Sequence, residues 1–105
     1  MTKYKFGDIV LVIFPQTDGG LKKRPAMAVL DIGDDDIVLA PITTTPRKGK
    51  GDYKIKDWQM GGLLNESWLR LAKVTCIEKV DIEYSLGHIS SFDKIKIVSI
   101  WKRLF

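Results

Sequence analysis

The sequence predicts a small, mostly-β (α+β) domain in which short strands wrap into a barrel and one C-terminal α-helix closes it. Three observations lead there. Short β-branched apolar runs alternate with turn signals along most of the chain, beginning with DIVLVIF at Asp8 to Phe14. Helical spacing emerges only at the end, where Phe92, Ile95, Val98, Trp101 and Phe105 recur on one stripe. A length of 105 residues suits one core, so a single domain over residues 1–105 is expected.

The elements follow in order. Asp8 to Phe14 is too short for a lone buried helix and reads as a strand, ended by Pro15, which cannot donate to a continuing ladder. Asp18-Gly19-Gly20 is a turn signal, and PAMAVLDI (Pro25 to Ile32) is a second strand. Gly33 and the acidic run Asp34, Asp35, Asp36 turn the chain into a third strand, Ile37 to Thr43. A long loop with Pro46, Gly49 and Gly51 comes next; its second half, Tyr53 to Asp57, alternates as an edge strand would. After breaks at Gly61-Gly62 and Asn65, Ser67 to Val74 (SWLRLAKV) alternates with Trp68, Arg70 and Ala72 on one face. Shorter strands are expected at Thr75 to Lys79 and Tyr84 to Ile89. Ser90 or Ser91 can cap a helix from Phe92 to Leu104, whose second stripe (Ile97, Ile100, Leu104) requires burial on two sides, against the sheet and against a second subunit. Five to seven strands and one terminal helix suggest an SH3-like barrel rather than a parallel α/β sheet.

Composition narrows the function. With 45% hydrophobic and 29% charged residues the chain has the balance of a soluble globular protein. It has no apolar run near the ~20 residues that span a bilayer, and MTKYKFGDIV lacks a signal-peptide core. One cysteine, Cys76, makes neither an internal disulfide nor a zinc site, so an intracellular, reduced and cytoplasmic protein is expected. The net charge of +4 is concentrated: TTPRKGKGDYKIK, residues 44–56, carries Arg47, Lys48, Lys50, Lys54 and Lys56 against the single acid Asp52. Lys22, Lys23 and Arg24 form a second cluster. Localised positive charge favours a polyanionic partner; the plainer alternative is a solvated basic loop.

Phosphate-cradling GxxxxGK[ST], dinucleotide-binding GxGxxG and zinc-binding HExxH are absent, and no metal or cofactor is expected. His88 reads as structural or merely exposed, and Cys76, in a strand-like stretch, as a small core residue. Three pieces point to phosphate chemistry. Lys22-Lys23-Arg24-Pro25 offers an arginine fork at a strand. Ile42-Thr43-Thr44-Thr45 places hydroxyls beside the basic loop. Arg70 stands on an otherwise apolar strand face and must find an anion, either a ligand or a distant carboxylate.

Taken together, GDIVLVIFP, KKRPAMAVL, VLAPITT, ESWLRLAKV and LGHIS before a final helix resemble the PemK/MazF toxin family over about Phe6 to Phe105. The resemblance implies a PemK/MazF/CcdB-like barrel acting as a homodimer. It also implies a toxin of a type II toxin–antitoxin system that cleaves single-stranded mRNA without a metal, leaving 2′,3′-cyclic phosphate and 5′-hydroxyl ends. A cognate antitoxin with an acidic tail would cover the RNA groove. The family's catalytic positions fall on Arg24, Thr43, Thr44 and Arg70. RNA-binding candidates are Lys22, Lys23, Lys48, Lys50, Lys54 and Lys56 along the backbone, with Arg47, Tyr53 and Trp58 stacking on bases. Two positions depart from many relatives. Ala72 stands where an acid often follows the second arginine, and the first loop, Gln16 to Gly20, has no histidine. Asp18 and Glu66 are therefore the candidates for a general base. The alternatives are a non-catalytic module of the same family that binds RNA or antitoxin, and a gyrase-directed toxin of similar fold.

Overall fold

The computed structural model describes residues 2–15 and 18–105. The first-loop residues Gln16 and Thr17 lie outside them. Among the described residues seven strands form one antiparallel sheet: β1 (Asp8–Pro15), β2 (Leu21–Leu30), β3 (Asp36–Thr43), β4 (Asp52–Lys54), β5 (Trp68–Arg70), β6 (Thr75–Glu78) and β7 (Ile82–His88). Helix α1 spans Ser91–Arg103. Hydrogen-bonded neighbours run β4-β5-β3-β2-β1-β7, with β6 also on β3. Among the described residues no ladder joins β4 to β7, so the barrel-like sheet stays open.

Most elements lie where the sequence places them, with two instructive shifts. β2 starts at Leu21 rather than Pro25, because the β1–β2 ladder runs to Phe14↔Lys22 and Pro15↔Leu21. The cationic cluster is thus built into a paired strand, where each side chain has a fixed direction. The expected strand Ser67 to Val74 is only Trp68–Arg70, followed by a 3₁₀ turn at Leu71–Lys73. β5 pairs β3 at Ile42 and Thr43, and β6 pairs the same strand at Asp36 to Leu39. The chain must turn between them, and Leu71 N–H, bonded to the Gly51 carbonyl at 2.8 Å, makes that turn.

The sheet buries both faces. One carries Ile9, Met27, Ala40, Ile42 and Leu69 against Ile55, Leu63 and Ile97 of α1. The other gathers Val10, Val12, Ala26, Ala28, Ile37 and Leu39. The segment before β5 lies so close to β7 that Gly62, at φ +79°, has no room for a Cβ beside the Leu86 carbonyl. In the single chain α1 buries one side, through Asp93 and Ile97, and leaves Phe92 and Ile95 exposed.

Two carboxylates tie segments together. Asp31 receives Lys79 Nζ at 2.8 Å, Tyr4 N–H at 2.7 Å and Gly33 N–H at 2.8 Å. Asp93, fully buried, receives the Tyr53 hydroxyl at 2.6 Å, Lys56 N–H at 3.0 Å, Asp57 N–H at 2.9 Å and the Ser90 hydroxyl at 3.2 Å. The Ser90 oxygen in turn caps α1 by accepting Asp93 N–H at 3.1 Å.

Removing the Asp93 carboxylate strands several buried donors, each worth ~1–3 kcal/mol. Asp93→Ala should therefore lower unfolding stability by about 3 kcal/mol in a urea titration; a loss under about 1 kcal/mol would show that the hub is dispensable. Acid stability follows from Asp31, whose carboxyl is held down to about 2, first by the Lys79 hydrogen bond. Its folded value lies below its unfolded one, so its contribution is present above pH ~4 and is lost as pH falls from there toward about 2. Urea midpoints should drop across that window in the wild type and drop less in Asp31→Asn; parallel curves would refute the assignment.

Candidate functional site

Strand register brings four of the sequence-predicted cations, Lys22, Arg24, Lys54 and Arg70, to one face. In antiparallel pairs, residues directly opposite share a face, as do residues two apart along a strand. Ala26 pairs with Pro41, and two residues further along each strand stand Arg24 and Thr43. Thr43 pairs with Trp68, Trp68 with Lys54, and Arg70 with Asp52. Arg24, Thr43, Trp68, Lys54, Arg70 and Asp52 therefore project from one side of the sheet, with Lys22 two residues before Arg24. The residues between them, Ile42 and Leu69, point into the core beside α1.

Arg24 is exposed and has no hydrogen bond or ion pair among the described residues. The Thr43 oxygen accepts Thr45 N–H at 3.1 Å, which orients the hydroxyl and leaves its proton free to donate. Arg70 is half-buried, and its Nε donates to Asp52 Oδ1 at 3.3 Å. Its two terminal amino groups carry no hydrogen bond among the described residues. Arg47, Lys48 and Lys50 are exposed on the loop before β4, without an ion pair among the described residues.

Other candidates lie elsewhere. Thr44, one residue beyond Thr43, lines a cavity of about 460 Å³ with Leu11, Pro25, Leu63, Asn65 and Tyr84. Pro25 and Arg24, adjacent on a strand, point to opposite faces, so this cavity is not on the Arg24 side. Lys23 is bound to Glu83 at 2.8 Å, and that carboxylate raises the ammonium's pKa. On the site face itself, Lys54 sits 5.6 Å over the Trp68 ring and 3.6 Å from Glu66. Lys56 covers Phe92 of α1 at 4.2 Å.

The structure turns the two stacking candidates, Tyr53 and Trp58, toward the core rather than onto this face. Tyr53 pairs with buried Leu69, so its ring turns inward and its hydroxyl is bonded to Asp93; burial first, and then that carboxylate, push the phenol's pKa up. Trp58 packs on the helix-side core. The half-buried aromatic on the site face is Trp68, and the alternation with Arg70 in SWLRLAKV was the signal for it. The acid that sequence reasoning sought beside Arg70 is Asp52, distant along the chain and opposite in the ladder.

Neither proposed base stands out. Asp18 is exposed and turned back onto Gly20 N–H at 2.9 Å, while Glu66 is exposed beside Lys54. His88 ends β7 opposite Asp8, and Cys76, expected in the core, is instead exposed on β6, which pairs β3. Among the described residues no three His, Cys, Asp or Glu side chains gather as a metal site would require.

Comparison with known proteins gives the lineage. A family described as "PemK-like, MazF-like toxin of type II toxin-antitoxin system" matches residues 5–104. No curated protein sequence matches the chain. Among solved structures it is similar to an endoribonuclease in complex with its cognate antitoxin from a mycobacterial species, with TM-score 0.75, 15% identity, and 95% of this chain and 92% of that one covered. It is also similar to the Mycobacterium tuberculosis toxin MazF-mt6, with TM-score 0.70, 19% identity, and coverage of 90% and 93%. A further endoribonuclease from a mycobacterial species aligns with TM-score 0.71 at 15% identity, over 98% of this chain and 91% of the other.

Proposed function

The chain belongs to the PemK-like, MazF-like toxins of type II toxin–antitoxin systems, and on that premise we propose that it is a metal-independent endoribonuclease of single-stranded mRNA. The observation that carries the reading is the shared face: a free arginine, an oriented threonine hydroxyl, a second arginine and a half-exposed tryptophan within three adjoining strands.

RNA supplies its own nucleophile. The 2′-oxygen forms a bond to phosphorus as its proton leaves, and the bond to the 5′-oxygen breaks as that oxygen gains a proton. The ends are a 2′,3′-cyclic phosphate and a 5′-hydroxyl. The protein's task is to stabilise charge on the phosphoryl oxygens, which preorganised donors do effectively. Arg24 supplies a fork to those oxygens, Thr43 donates its hydroxyl proton, and Arg70 clamps the phosphate in line. Arginine stays charged, with a pKa above about 12, so both guanidinium groups act by electrostatics. Trp68 offers a ring for base stacking in place of Tyr53 and Trp58, and Arg47, Lys48 and Lys50 follow the backbone.

The same cationic surface suits the acidic tail of a cognate antitoxin, and the exposed Phe92 and Ile95 of α1 suit a homodimer contact. Among the described residues no helix is long and apolar enough to cross a membrane; the proposed site of action is the cytoplasm, where mRNA is found.

Incubation of the purified chain with long single-stranded RNA in excess EDTA, free of gyrase, tests the reading. Site-limited fragments with cyclic phosphate ends are expected, and Arg24→Ala should cut at least ~10²-fold more slowly with an unchanged melting curve. Wild-type rates in that variant would remove Arg24 from the mechanism. Intact RNA with retained binding would point to the non-catalytic module instead. The basic loop has its own signature. Lys48→Gln with Lys50→Gln should reduce the slope of log K against log salt for a non-cleavable single strand by about 1.4, at ~0.7 per phosphate contact. An unchanged slope would take the loop off the RNA.

A further inference from the structure

We propose that Asp52 is the positioning residue of this site: it aims the Arg70 fork at an RNA phosphodiester and fixes the cationic loop over the same phosphate. The proposal rests on the ribonuclease reading and extends it to a residue that touches no substrate.

The carboxylate is nearly enclosed, with 5% of its side chain exposed against 28% for Arg70. A buried charge must be bonded, and both Asp52 oxygens are. Oδ1 takes Arg70 Nε at 3.3 Å, and Oδ2 takes Gly49 N–H at 2.8 Å, while Asp52 N–H returns to the Gly49 carbonyl at 3.1 Å. Both oxygens are engaged within the protein and the side chain is nearly enclosed, so Asp52 does not present itself to RNA. Its effect is geometric. An arginine held by Nε keeps its two terminal amino groups together and facing outward, the arrangement that binds two oxygens of one phosphate.

The same carboxylate closes the turn from Gly49 to Asp52 and so sets where Lys48 and Lys50 leave the sheet. Drift between the two partners is prevented by close backbone contact. Leu71 N–H bonds Gly51 O at 2.8 Å, and Gly51 sits at φ +82°, where a Cβ would come within 2.8 Å of Ala72 N and 2.9 Å of Ala72 Cβ. One acid thus orients an arginine from β5 and a loop entering β4, two segments that must meet one phosphodiester.

The test is Asp52→Asn, whose single side-chain oxygen can accept from Arg70 or from Gly49 while its amide opposes the other donor. Single-turnover cleavage of a short RNA at saturating enzyme should slow by about 10²-fold, the scale of a misplacement near 1 Å. Affinity for the same RNA carrying a 2′-deoxy scissile nucleotide should change less than about threefold, separating chemistry from binding. In an Arg70→Ala background, Asp52→Asn should slow cleavage by less than about threefold further, because its effect on rate passes through that guanidinium and only its hold on the loop remains. An unchanged rate in Asp52→Asn, a loss of affinity as large as the loss of rate, or additive effects with Arg70→Ala would each overturn the proposal. If Asp52→Asn does not fold by circular dichroism, Arg70→Lys takes its place: a charge without a fork should cost a similar factor, and an unchanged rate would be equally fatal. A wild type that leaves RNA intact would sink the ribonuclease reading and this role with it, whereas a cleaving wild type beside an unaffected variant sinks the role alone.

Discussion

The interaction on which the rest of the structure depends is the buried carboxylate of Asp93. It sits in the first turn of α1, where unpaired N–H groups and the helix dipole favour negative charge. Burial alone would push its carboxyl up, yet the donors from Tyr53, Asp57, Lys56 and Ser90 together pull it below the ordinary aspartate value. Those donors come from the helix cap and from the exit of β4, so one side chain fastens the terminal helix to the edge of the sheet. Without that anchor, three-residue β4 would have little besides its ladder to β5 to hold it, and an isolated two-stranded ladder is marginal in water.

The consequence reaches the site through register. A strand displaced by one residue turns every side chain to the other face. Tyr53, bonded to Asp93, keeps its ring inward against Leu69, and this fixes Asp52 and Lys54 outward, opposite Arg70 and Trp68. The β2–β3 ladder does the same for Arg24 and Thr43. Along β2 the same face passes from buried Ala28 and Ala26 to exposed Arg24, so one pleat supplies core at one end and a charged surface at the other.

Much of this was legible in the sequence because it is local. β-branched apolar runs mark β1 and β3, alternation marks the Trp68–Arg70 stretch, and Ser90 with Phe92, Ile95 and Ile97 marks the helix to within a residue. Arg24, Thr43 and Arg70 could be named as candidates from their motifs and the family resemblance, and pleat and register set them on one face. What could not be read was pairing between distant segments. Nothing near Arg70 in the chain announces Asp52, and nothing near Tyr53 announces Asp93, 40 positions away. The inward turn of Tyr53 and Trp58 was not legible for the same reason: a basic neighbourhood suggests solvent, whereas packing against the ladder and the helix decides which side is buried. The early start of β2 is likewise a tertiary effect, imposed by β1.

The two arginines of the face therefore stand in different electrostatic states. Arg24 keeps its full charge toward solvent, while Arg70 shares its charge with Asp52. Neutralisation by Asp52 weakens the attraction of Arg70 for an anion, at a separation where an ion pair near a protein surface is worth a few kcal/mol at most. Order offsets that loss. A free arginine gives up ~2 kcal/mol of side-chain freedom on binding, and one already fixed through Nε has given up part of it on folding. Attraction at longer range does not depend on Arg70, because Arg47, Lys48 and Lys50 stand exposed without counter-ions among the described residues. The face thus divides its labour: exposed cations on the loop draw a polyanion in, and a partly neutralised but oriented arginine sets the geometry in which Arg24 and Thr43 meet a phosphate.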